Sequence, residues 1–100
     1  MIIIAGSISI DPERVDLMLE AIVPLMQATH AEEGCIDYVL SADPAEAGKI
    51  RIFEKWASDE ALGGHMTAPH MGDFQKALKT VGVTGMSVQR FDKAAESTHV

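Results

Sequence analysis

From Ile2 to Ile10 the side chains alternate, with Ile2, Ile4, Ile8 and Ile10 on one side and Ile3, Ala5, Ser7 and Ser9 on the other. That is the two-residue period of a strand. Past Asp11-Pro12 the period changes: Val15, Met18, Leu19, Ile22, Leu25, Met26 and Thr29 recur at three- and four-residue spacing and make one apolar helical stripe. A chain that switches period in this way must pack a helix against a sheet, and the order of the switches decides how.

Asp11 suits the cap of that helix and Pro12 its first position. Pro24 conflicts with a straight helix, because an interior proline removes a backbone hydrogen bond at a cost of about 3 kcal/mol, so a bend is expected there. Gly34 is expected to stop the helix, and Gly6 to mark a bulge in the first strand. Strands follow over 35–41 and 49–57, separated by Ala42 to Gly48, whose Asp, Pro and Gly form turns. Ser58, followed by Asp59 and Glu60, caps a short helix to about His65, and Thr67-Ala68-Pro69 starts another to about Thr80. Gly82 ends it, and 83–91 alternates as a last strand.

The order strand, helix, strand, strand, helix, strand predicts an α+β, ferredoxin-like βαββαβ domain over 1–92, a four-stranded antiparallel sheet with helices on one face. Residues 93–100 read as a polar, frayed tail. If Ile36, Tyr38, Leu40, Ile50, Ile52 and Trp56 turn toward the helices, the opposite face carries Cys35, Val39, Phe53, Met86 and Val88. Nothing in the chain is left to cover that face, which predicts a homodimer joined sheet to sheet. A single 100-residue domain buries only about two-thirds of its unfolded surface, so a partner subunit also helps stability.

The net charge of −7, without any Lys or Arg cluster, argues against nucleic acid and anionic membrane as partners. The apolar opening from Met1 to Ile4 is too short for a signal-peptide core, and no stretch approaches the ~20 apolar residues that span a bilayer. With one cysteine, Cys35, no internal disulfide forms, in keeping with a cytoplasmic location.

Glu54 falls between Ile52 and Trp56 in the alternation and is expected on their inward face, where an unpaired carboxylate costs several kcal/mol. Its partner is expected among Tyr38, His65 and His70. A structural carboxylate satisfied by hydrogen bonds, or one twisted out to solvent, is the alternative to one that orients a histidine base. His65 and His70 stand five residues apart across a helix break, not as an i, i+4 chelating pair, so no metal site is expected. Tyr38, Trp56 and Glu54, with flexible Met66 and Met71 nearby, have the composition of an apolar small-molecule pocket, although Trp and Tyr on an inward face also serve packing alone. His30 and His99 are expected in solvent.

The segments Glu33-Gly34-Cys35-Ile36-Asp37-Tyr38, Phe53-Glu54-Lys55-Trp56 with Ser58-Asp59-Glu60-Ala61-Leu62, and His65-Met66-Thr67-Ala68-Pro69-His70 together resemble the antibiotic biosynthesis monooxygenase family. The resemblance implies a dimeric α+β barrel and a quinol or anthrone-type monooxygenase that uses molecular oxygen on a small aromatic substrate, with no cofactor. It carries over Tyr38, Glu54, Trp56, His65 and His70; His65, His70 and Glu54 are expected as catalytic positions, and Tyr38, Trp56, Met66 and Phe74 as substrate contacts. In that scheme His65 is the base, His70 the alternative base, and Glu54 the orienting carboxylate. The strand-one Asn of some members has no match; Ser7 and Ser9 are the polar candidates there. A non-catalytic dimeric binding module, and haem-degrading or isomerase relatives of the same fold, are the other readings.

Overall fold

The computed structural model describes residues 1–99. Its elements are β1 (Ile2–Ile10), α1 (Val15–His30), β2 (Cys35–Ala42), β3 (Lys49–Trp56), α2 (Asp59–Met66), α3 (Pro69–Val81) and β4 (Val83–Phe91), with a 3-10 turn at Pro12–Arg14. The four strands form one antiparallel sheet in the order β2-β3-β1-β4. This is the ferredoxin-like α+β arrangement, and the order follows from two crossovers that each return through helix.

Local chemistry sets the boundaries. Asp11 accepts the Glu13 N–H at 3.0 Å and opens the 3-10 turn into α1. Pro24 lies within α1 on its exposed side, where water can take the carbonyl that proline leaves free. Asp43 accepts the N–H groups of Ala45 and Glu46 and pairs with Arg51, closing the β2–β3 hairpin. Ser58 caps α2 by accepting the Ala61 N–H at 3.2 Å.

The core lies between the helices and one sheet face: Ile2, Ile8 and Ile10 from β1, Met18, Ile22 and Leu25 from α1, Tyr38 and Leu40 from β2, Ile50, Ile52 and Trp56 from β3, with Leu62, Met71, Phe74 and Val81 above. No helix among the described residues is long and apolar enough to cross a membrane.

Four expectations change. Ile36 is exposed and Cys35 packs on the core, because the β2–β3 register shifts between Cys35 and Asp37 and one extra residue reverses the alternation there. Met86 and Val88 pair with Ile8 and Gly6, so they share the helix-side face rather than the opposite one. Gly6 marks no register shift; that shift falls between Ser9 and Ile10. Gly6 is needed because a β-carbon there would lie 2.0 Å from the Ser87 carbonyl oxygen. The tail is not loose throughout: Ala94 donates its N–H to the Met1 carbonyl at 2.9 Å and Glu96 pairs with Lys55 at 2.5 Å.

The face away from the helices keeps Val39 and Phe53 as a cross-strand pair, with Ile3, Ala5 and Phe91. Residues 94–98 overlie its edge at Ile3 and Lys55, whereas Val39, Phe53 and Phe91 stay exposed.

Candidate functional site

The chain between α1 and β2 decides the site. After His30 the backbone turns, with Glu32 N–H bonded to the Thr29 carbonyl and Gly34 at a φ of 82°. A side chain at Gly34 would put its β-carbon 2.4 Å from that of Ala61, so glycine lets this turn press against α2. The close approach brings Glu32 to the histidines of α2 and α3.

Glu32 Oε2 lies 2.6 Å from His65 Nδ1 and 2.8 Å from His70 Nε2. An ionised carboxylate only accepts, so each imidazole contributes an N–H to this oxygen. The five-residue spacing that argued against a shared centre does not separate the two rings, because the turn at Thr67 and Ala68 redirects the chain between α2 and α3. The ligand atoms of Glu32, His65 and His70 lie within 4.8 Å of one another.

The His65 side chain is 1% exposed, against 17% for Glu32 and 22% for His70. Trp56 and Tyr38 enclose it, with ring centroids 4.8 Å and 5.1 Å from the imidazole. His65 Nε2 is buried and has no hydrogen-bond partner; Thr29 Oγ1 is the other buried side-chain atom in that condition among the described residues.

Glu54 points inward as the alternation required, but its role differs. Its Oε1 accepts the Trp56 indole N–H at 3.0 Å, so the carboxylate on the imidazoles is Glu32 and not Glu54. The reason is geometric: Glu54 and Trp56 share a face two residues apart on one strand, while Glu32 arrives from a separate turn. Burial pushes the Glu54 carboxyl above its ordinary range, with Glu32 adding to the push and the Trp56 N–H and His65 opposing it. Burial, then the Glu54 and Glu32 carboxylates, also drives the Tyr38 hydroxyl upward, so Tyr38 stays a neutral donor.

Of the expected substrate contacts, Tyr38 and Trp56 join the cluster. Met66 is exposed, and Phe74 packs in the core with Ile8, Met18 and Ile50. The expected open pocket among Tyr38, Glu54, Trp56, His65 and His70 is replaced by rings packed on one another. A groove of about 490 Å³ instead adjoins the cluster, lined by Glu32, Glu33, Gly34, Ala57, Ser58, Glu60, Ala61 and Gly64. His30 is exposed as expected, though its Nε2–H reaches the Tyr38 carbonyl at 2.8 Å.

Glu32 escaped sequence reasoning. It lies outside any periodic element, in a turn 33 residues from His65. The available signal was two acids directly after a helix C-terminus, where the dipole disfavours negative charge.

Comparison with known proteins adds to this geometry. The sequence pattern of the antibiotic biosynthesis monooxygenase family matches residues 1–77. YcnE of Bacillus subtilis (strain 168), named as a candidate monooxygenase, is 30% identical over 74 residues, covering 74% of this chain and 78% of that protein. A Deinococcus radiodurans crystal structure described as a candidate antibiotic biosynthesis monooxygenase superposes with a TM-score of 0.88 at 29% identity, covering 100% of this chain and 98% of the other. Rv0793 from Mycobacterium tuberculosis shares the fold at a TM-score of 0.83 and 20% identity, covering 97% and 98%.

Proposed function

The chain belongs to the antibiotic biosynthesis monooxygenase family, and on that premise we propose that it oxidises an electron-rich aromatic of quinol or anthrone type with molecular oxygen and without a cofactor. When a ring CH₂ becomes a carbonyl, the carbon gives up two hydrogens and four electrons. One oxygen atom enters the product, the other leaves with those hydrogens as water, and no external reductant is required. The protein's task is to turn the substrate into an anion and hold it away from bulk water.

The observation that carries this reading is the empty, buried Nε2 of His65, whose other nitrogen is held by Glu32. An imidazole that donates Nδ1–H to a carboxylate keeps its lone pair on Nε2, and the carboxylate stabilises the imidazolium once a proton arrives. His65 is the base in this scheme, Glu32 rather than Glu54 orients it, and Tyr38 and Trp56 flank the acquired anion. His70, the more exposed ring on the same carboxylate, is the alternative base. The adjoining groove has the size of a small-molecule site, typically about 300–1,000 Å³, and meets the cluster at Glu32. Two chains pairing through the face of Val39, Phe53 and Phe91 complete the proposed assembly.

The test is oxygen uptake by metal-stripped protein supplied with a quinol or an anthrone. Wild-type protein consumes oxygen, and His65→Ala lowers the rate by about 10²-fold or more, within the range of a positioned proton-transfer group. Wild-type rates in both His65→Ala and His70→Ala would refute the assignment.

One observation favours a second reading, a non-catalytic module that binds a small ligand: in the single chain the Nε2 lone pair is closed off by packed rings. In that case a phenol raises the melting temperature while no oxygen is consumed.

A further inference from the structure

We infer that Glu32, His65 and His70 form a site for one divalent transition ion of borderline softness, such as Zn²⁺, and that the ion silences His65 as a base. The silencing rests on the reading of His65 Nε2 as that base; the ion site does not.

Two imidazole nitrogens and a carboxylate oxygen are the donor set such ions take, with waters filling the remaining positions. Here the three converge from three separate elements, the turn after α1, α2 and α3, and their ligand atoms lie within 4.8 Å of one another. Glu32 Oε2 stands 2.6 Å and 2.8 Å from the two nitrogens. Ligands bound at about 2.0–2.1 Å to one tetrahedral ion sit about 3.3 Å apart, so the two Glu32 contacts must open and any pair near the outer limit of the cluster must close, movements that rotation of the partly exposed Glu32 and His70 side chains supplies. Approach is favourable too. Glu32 opens on the groove that also presents Glu33 and Glu60, and a chain with a net charge of −7 draws cations to such a recess.

The unpartnered nitrogen gives the ion its consequence. With the site empty, the single proton of neutral His65 is held on Nδ1 by Glu32, and Nε2 carries the lone pair. An ion bound at Nδ1 displaces the proton there, so neutral His65 carries its hydrogen on Nε2 instead; His70 likewise frees Nε2 for the ion and carries its hydrogen on Nδ1. No net proton is lost from His65, but the nitrogen assigned to substrate now bears hydrogen and cannot accept another.

The experiment titrates chelator-stripped protein with Zn²⁺ in competition with a chromophoric chelator. One ion per chain is expected at micromolar concentration. Affinity should fall at least tenfold in Glu32→Gln and in His70→Ala, the latter at a partly exposed position with little influence on folding, and stay unchanged in Glu54→Gln. Equal affinity in wild type, Glu32→Gln and His70→Ala overturns the site, as does the lack of a stoichiometric ion in folded wild-type protein. Imidazole ¹⁵N spectra read the second half: His65 should pass from the Nδ1–H to the Nε2–H tautomer on saturation, and an unchanged tautomer overturns the silencing. If a quinol is turned over, saturating Zn²⁺ should abolish the rate, and an unaffected rate overturns the silencing as well. Should no quinol be oxidised at all, the proposed function fails, while ion binding and tautomer are still read directly.

Discussion

Glu32 and His65, 33 residues apart in the chain, meet at 2.6 Å between Oε2 and Nδ1, the shortest contact in a cluster that Tyr38 and Trp56 close from the other side. Much of what this fold can do chemically depends on that meeting, because it decides which imidazole nitrogen is free.

Replacing Glu32 with Gln keeps the shape and removes the charge. Oxygen uptake with a quinol should fall by about 10²-fold or more, since a neutral amide neither fixes the tautomer nor stabilises an imidazolium. Glu54→Gln, whose hydrogen bond goes to the Trp56 indole rather than to an imidazole, should keep most of the rate. A reversed ranking of the two variants would return the orienting role to Glu54.

Glu54 makes stability fall with rising pH. Its carboxyl is raised in the folded chain, chiefly by burial, so the folded state holds the proton longer than the unfolded state does. Its contribution is therefore complete below the unfolded carboxylate value and is lost as pH climbs through the folded one. Glu54→Gln removes that loss while its amide oxygen can still accept from Trp56. Relative to wild type, the variant's melting temperature should be higher at pH 7 than at pH 4, and a difference that does not change with pH would contradict the raised carboxyl.

Tyr38 is the only tyrosine, so the tyrosinate absorbance gained on alkaline titration reads it alone, over a constant background from Trp56. Burial and two nearby carboxylates oppose its ionisation. Tyrosinate should therefore appear only together with the loss of far-ultraviolet circular dichroism on alkaline titration. Absorbance that rises while the fold is intact would show an accessible phenol.

Phe53 pairs with Val39 on the face that the helices leave open. Phe53→Glu should convert a dimer into a monomer by light scattering at micromolar concentration, because a charge buried between two sheets goes unpaired. A wild-type monomer under those conditions would remove the sheet-to-sheet assembly.

The elements were legible because period and punctuation agree: Asp11, Ser58 and Gly82 bound helices whose stripes already repeat at helical spacing. Glu54's inward side chain was legible by the same alternation. What escaped depends on contacts that no local pattern encodes. Cys35 and Ile36 exchange faces through one extra residue opposite β3, and the facing of Met86 and Val88 is fixed only by how β4 registers against β1. Glu32 belongs with these, since its partner lies across the fold and its own turn has no period. Tyr38, Trp56 and His65 were recognisable as a set, but whether they would enclose a void or fill it depends on side-chain packing in three dimensions.

The hydrogen bond from Ala94 to Met1 places both ends of the described chain at one margin of the open sheet face, beside Ile3 and Lys55. Anything fused ahead of Met1, an affinity handle or a reporter protein included, therefore emerges next to the surface proposed to receive a second subunit. Attachment in the Asp43–Gly48 hairpin loop, at the opposite end of the strands where Ser9 pairs with Lys49, would leave that margin clear.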